Sequence, residues 1–149
     1  CCHQSHGCTY RKKPDLLINY YMAEAIKTGL ADIVEVGKSV QCDMDARPLG
    51  IALGATPFET GTERFTLSDS PLICGTADRF VTSAPELACD LVDMELYALA
   101  KIAKREQIPL KSFKFISDNA DDNSQQDWKN SLPDSASGFL SIQDDLLSL

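Results

Sequence analysis

The segment LVDMELYALA, residues 91–100, places two carboxylates, Asp93 and Glu95, where an apolar strand gives way to a helix. Two readings are open. Acids in a first helical turn are favoured by the helix dipole, by about 0.3 to 1 kcal/mol each, and that alone accounts for such a placement. The other reading is chemical: Glu95 has no Lys or Arg within one helical turn, and a carboxylate at the margin of an apolar face needs a partner, which the paired hydroxyls of a sugar could supply. A second cluster closes the segment KSFKFISDNADD. There Asp118 is either a turn or cap residue or, beside apolar Phe115 and Ile116, a general acid. In a third stretch, TADRFVTSAPEL, Phe80 stands among polar residues and serves either packing or stacking on a flat heterocycle. No phosphate loop or serine elbow is present, and both histidines lie in the first eight residues. Carboxylates are the credible catalysts.

The elements that must carry these groups follow from hydrophobic periodicity. DLLIN, residues 15–19, is too short an apolar run for a helix and reads as a strand, as do IVEVGKSV (33–40), PLICG (71–75), ACDLVDM (88–94) and the start of KSFKFIS (111–117). QCDMDARPLGIALGATPFETGTE between them is rich in Gly and Pro and reads as a long loop, a kind often functional or else disordered. ELYALAKIAKREQ is helical, with Lys101, Lys104 and Arg105 on one side and Leu96, Leu99, Ile102 and Ala103 on the other. The spacing Glu95, Leu99, Ile102 sets the Glu at the border of the buried stripe. The residues from Ser124 onward repeat Trp128, Leu132, Ala136 and Phe139 at helical spacing, with Pro133 expected to interrupt or restart the helix. Strands that alternate with a helix and long loops predict an α/β sheet covered on both faces, with ligands beyond strand ends.

The chain of 149 residues, 44% hydrophobic and with a net charge of −8, suits one soluble domain and a small ligand or protein partner rather than nucleic acid or an anionic membrane. No apolar run is long enough to span a bilayer and the N-terminus lacks a signal-peptide core, so a cytoplasmic protein is expected. CCHQSHGC holds Cys1, Cys2, His3, His6 and Cys8 without the paired spacing of a zinc site, and Cys42, Cys74 and Cys89 are scattered, so neither metal nor disulfide framework is expected. Residues 1–11 have no periodicity and stand apart from a domain over 12–149. Because the first residue is Cys, a fragment or a processed product is expected.

Taken in order, LICGTADRFVTS, LVDMELYALA and FKFISDNADD resemble the nucleoside phosphorylase and nucleosidase superfamily, most of all its methylthioadenosine/S-adenosylhomocysteine nucleosidases. The likeness runs from KPDLLIN through the last helix. It implies a three-layer α/β/α sandwich around a mixed sheet, incomplete at the N-terminus, that cleaves the N-glycosidic bond of a purine nucleoside without a cofactor, as a homodimer. Carried across, the resemblance has Phe80 stack on the base and the Val81 backbone hydrogen-bond it. Met94 would pack beneath the sugar and Glu95 hold its vicinal hydroxyls, while Asp118, supported by Ser117, protonates the leaving purine. Two departures stand out: the family's first strand with its water-activating acid has no counterpart, and its small-residue turn is replaced by Tyr21, Met22, Ala23 and Glu24, which should obstruct a ligand. A phosphorylase, and a non-catalytic relative that binds or stores a nucleoside, are the alternative readings.

Overall fold

The computed structural model describes residues 13–61, 64–119 and 124–148. The Cys/His-rich segment, the domain boundary expected at Lys12, and Asp121 and Asp122 lie outside the described residues. Seven strands form one mixed sheet: β1 (Leu17–Ala25), β2 (Ile33–Val36), β3 (Lys38–Gln41), β4 (Phe65–Thr66), β5 (Ile73–Thr76), β6 (Leu91–Asp93) and β7 (Leu110–Asp118), in the order β2-β7-β1-β6-β5-β3-β4. Two parallel blocks, β7–β1 and β6–β5–β3, meet antiparallel between β1 and β6. Helices α1 (Leu96–Glu106) and α2 (Ser124–Leu147) flank the sheet. The α/β fold with a mixed sheet is therefore the one expected.

Successive β7 side chains explain how both faces are used. Leu110 joins the core with Ala23, Val36, Leu91, Leu96, Tyr97, Ala100 and Ala103 of the α1 side. On the other face Phe115 lies against Gly138 of α2, and Phe113 shares a cavity wall with Ile142 and Leu146. The period-2 alternation of the strand thus feeds two layers rather than one layer and solvent.

Several elements depart from expectation. The strand expected over 15–19 starts at Leu17 and continues to Ala25, because Tyr20 to Glu24 keep pairing with β7; the place of the family's turn, Tyr21–Glu24, is strand. IVEVGKSV is two strands, not one. β2 pairs with β7 at one end of the sheet and β3 lies near the other, yet only Gly37 separates Val36 from Lys38. Those two residues can lie no more than about 7 Å apart, so the sheet curls back on itself. Gly37 makes this possible: a Cβ there would sit 1.7 Å from the carbonyl oxygen of Ser70. Gly37→Ala is expected to lower stability by about 2 to 3 kcal/mol, read as a shifted urea midpoint; an unchanged midpoint would show that residues 67–72 yield easily.

The buried stripe of α1 is Leu96, Tyr97, Ala100 and Ala103, whereas Leu99 and Ile102 are exposed. The helix is rotated from the expected stripe because its first two residues dock under the sheet. In α2 the inward residues are Ser131, Ser135, Gly138, Ile142 and Leu146 rather than Leu132 and Ala136. The Tyr20 hydroxyl donates to the Ser135 carbonyl at 2.8 Å, and a Cβ on Gly138 would lie 3.0 Å from that hydroxyl. Pro133 does not interrupt α2. It is exposed, as is Lys129, so the Lys129 carbonyl that loses its helical partner faces solvent, which can hydrate it. The long loop after β3 is shaped by a 3₁₀ turn at Arg47–Leu49 and by Arg47 bonded to Asp45 and Glu86. Among the described residues no helix is long and apolar enough to cross a membrane.

Candidate active site

Backbone pairing between β1 and β6 covers only Glu24 with Val92 and Ala25 with Leu91. Beyond those pairs the chains part, and a cavity of about 270 Å³ opens in the gap. Its walls are Tyr21–Glu24 of β1, Val92–Glu95 at the end of β6, Phe80, Ser117, and Trp128 and Lys129 of α2. Phe80, Met94, Glu95 and Ser117 are thus brought together around one space. Asp118 lies beside it, buried, with the Ser117 hydroxyl donating to its Oδ2 at 2.6 Å. Val81 is buried next to Phe80, and its backbone N–H lies near enough to the Glu24 carboxyl to draw that group's pKa down. A larger cavity, about 450 Å³, lies at the opposite ends of β1 and β7, lined by Leu16, Phe65, Ala100, Lys104 and Leu110 among others but by no acid. Chemistry favours the smaller one.

Asp93 and Glu95 divide the work of the segment they share. Asp93 is fully built into the fold. Its Oδ1 accepts from the Thr76 hydroxyl at 2.7 Å, and its Oδ2 accepts from the Leu96 backbone N–H at 2.9 Å and from Lys114 Nζ at 2.6 Å. Thr76 in turn accepts from the Tyr97 N–H at 2.9 Å. This satisfies the helix start, as an N-terminal acid should. Glu95 has the cap position, but its side chain makes no capping hydrogen bond. Though the residue is exposed, withdrawal of its carboxyl from water and the nearby Asp93 charge push its pKa up, against the pull of Lys114.

Lys114 and Glu24 were not anticipated as site residues. Lys114 looks like a solvent-face residue of an alternating strand, yet it is completely buried and ion-paired with Asp93. It lies opposite Tyr21 in the β7–β1 register, 5.9 Å from that ring. From there it reaches across β1 and ties the two parallel blocks where backbone pairing has stopped. The signal was available in principle: a strand covered on both faces has no solvent side, so a lysine in it needs a buried acid.

Glu24 owes its position to a β-bulge. Ala23 pairs with Ile116 but Glu24 pairs with Asp118, skipping Ser117, so two carboxyl groups stand on neighbouring strands, about 5 Å apart at the backbone. Burial and the Asp118 charge push the Glu24 pKa from 4.5 to about 7, opposed by the Val81 N–H. A carboxyl that keeps its proton in the folded state but loses it when unfolded favours folding most below pH 4.5, and this contribution is lost as pH rises through about 7. Between those values Glu24→Gln is therefore expected to gain on the wild type, by about 1 to 2 kcal/mol once water in the open cavity is allowed for. Urea midpoints across that range measure this; parallel curves for the two proteins would exclude it.

No family model matches the chain. Solved structures share its fold. A 5'-methylthioadenosine/S-adenosylhomocysteine nucleosidase from Helicobacter pylori, solved with butyl-thio-DADMe-Immucillin-A, superposes with a TM-score of 0.79 at 20% identity, over 90% of this chain and 68% of that one. Futalosine hydrolase of the same organism gives 0.80 at 19% identity, over 90% and 68%. The 5'-methylthioadenosine/S-adenosylhomocysteine nucleosidase of S. pneumoniae, solved with a transition-state inhibitor, gives 0.74 at 22% identity, over 87% and 67%.

Proposed function

We propose, from the fold shared with these nucleosidases and hydrolase, that the chain binds a purine nucleoside in the cleft between β1 and β6 and hydrolyses its N-glycosidic bond. The observation that carries this reading is the convergence of Phe80, Met94, Glu95 and Ser117 on one cavity with the Asp118 carboxyl beside it. In this reading Phe80 stacks on the base and Met94 lies under the sugar. Glu95, free of any capping bond, accepts from the two sugar hydroxyls. Asp118, held by Ser117, gives its proton to the purine ring nitrogen as the bond breaks, because a purine anion leaves poorly and a protonated purine lets an oxocarbenium-like sugar form, which water then captures at the anomeric carbon with loss of a proton to solvent. Methylthioadenosine and S-adenosylhomocysteine are the substrates the fold relatives suggest. The same reading expects a cytoplasmic homodimer, which sedimentation tests for assembly.

The test is release of free adenine from either nucleoside, followed by chromatography with and without phosphate. Release that needs no phosphate supports hydrolysis, and release only with phosphate favours a phosphorylase. A second reading, binding without turnover, has one observation in its favour: the bulky Tyr21 and Met22 and the acidic Glu24 line the cavity. Saturable nucleoside binding with no adenine formed would select it.

A further inference from the structure

Glu24 is 8% exposed, lines the cavity and leaves Oε2 buried without a hydrogen-bond partner. A buried carboxyl oxygen left unmatched costs free energy, and native folds seldom retain one without a use. Nothing in the general-acid scheme uses it. Its place along β1 says which part of a ligand it would meet. Glu24 pairs with Val92 and Asp118 and stands near the backbone N–H of Val81, the residue after Phe80. Tyr21, three residues earlier on β1, lies opposite Lys114, which pairs with Asp93 near Glu95. The cavity therefore has two ends, about 10 Å apart along the strand. At one are Phe80, Val81, Asp118 and Glu24; at the other are Met94 and Glu95.

We propose that Glu24 is a specificity-determining residue, its open carboxyl oxygen accepting a hydrogen bond from an N–H donor on the heterocycle of the bound nucleoside. This rests on the purine-nucleoside reading and sharpens it: the chain selects bases that present an N–H at that edge. The ligand N–H would meet the unpartnered Oε2, so binding removes the mismatch of that buried oxygen. A base with no such donor would enter and leave that oxygen buried and unmatched, and discrimination built on an unpaired polar group is steep.

The chain has one tryptophan, Trp128, and it lines this cavity, so its fluorescence after rapid mixing reports occupancy before turnover. Adenosine carries an amino group and inosine a ring N–H, whereas purine riboside has neither. The wild type is expected to bind the better of the first two at least about tenfold tighter than purine riboside. Glu24→Ala and Glu24→Gln should both narrow that ratio, the alanine variant to within about threefold, with equilibrium dialysis as a second measure of affinity. Equal wild-type affinity for all three nucleosides overturns the role of Glu24 and leaves the nucleoside reading standing, as does an undiminished preference in both variants. Failure of all three to bind overturns both.

Discussion

Asp118→Asn is expected to slow purine release by about 100- to 10,000-fold while nucleoside affinity changes only a few-fold. The size follows from the loss of general-acid catalysis alone. Asparagine keeps the volume and can still accept from the Ser117 hydroxyl, which lies 2.6 Å from the carboxylate, but it has no proton to give to a leaving purine. The loss should fall on kcat rather than KM, because proton delivery matters only as the bond breaks. Single-turnover adenine release against Trp128 fluorescence separates the two. A variant within threefold of the wild-type rate would remove Asp118 from the mechanism and return it to the role of a strand-end residue.

Lys114→Met is expected to cost about 3 to 5 kcal/mol of stability, a large share of what a domain of this size possesses. Lys114 and Asp93 are both fully buried and 2.6 Å apart. Removing the cation leaves a carboxylate in the interior with the Thr76 hydroxyl and the Leu96 N–H, neither of them charged, to answer it. The companion Asp93→Asn in the same chain removes the stranded charge while keeping an acceptor for the helix start. The double variant should therefore recover on the order of 2 kcal/mol, the signature of two coupled groups. Urea denaturation of the four proteins gives the cycle; additive losses would mean that the ion pair contributes nothing beyond its parts. Since Asp93 also fixes the first turn of α1, on which Glu95 is mounted, the single variant should also weaken nucleoside binding in whatever fraction remains folded.

Local chemistry was legible in the residues themselves. The strand-to-helix change at LVDMEL and the helix ELYALAKIAKREQ are there as α1 following β6. The strand KFIS ending at Asp118 is there as β7, and the described residues of the Gly/Pro-rich stretch after β3 hold a short 3₁₀ turn and otherwise loop. Apolar periodicity and turn residues act over a few positions, so a short window is enough to read them. What a window misses is which face of an element meets which neighbour. Leu99 and Ile102 have the right spacing to be core, but the docking of Leu96 and Tyr97 under the sheet turned them outward. Pro133 has the chemistry to break a helix, but its solvent-facing position lets α2 continue. Gly37 is one residue in an apparently continuous strand, and only the course of the chain past Ser70 shows why it must be a glycine.

The same division holds for the candidate site. Residue type and order pointed to carboxylates and one aromatic for any reactive centre here, since the sequence shows no phosphate loop or serine elbow and its two histidines lie in the first eight residues; Ser117 entered only through the resemblance. Tertiary structure decided how those groups are used. Pairing between β1 and β6 stops after two residue pairs, and that opens the cavity. Lys114 reaches across β1 to neutralise Asp93, which leaves Glu95 as the acid of that segment not tied into the helix start. A bulge shifts the register by one residue and sets Glu24 beside Asp118. Register, burial and the effect of one carboxyl's charge on another belong to pairs of strands, not to either strand alone. For that reason Glu24, an obstruction when β1 is considered by itself, becomes the open acceptor of the pocket once β7 and the Phe80–Val81 loop are folded against it.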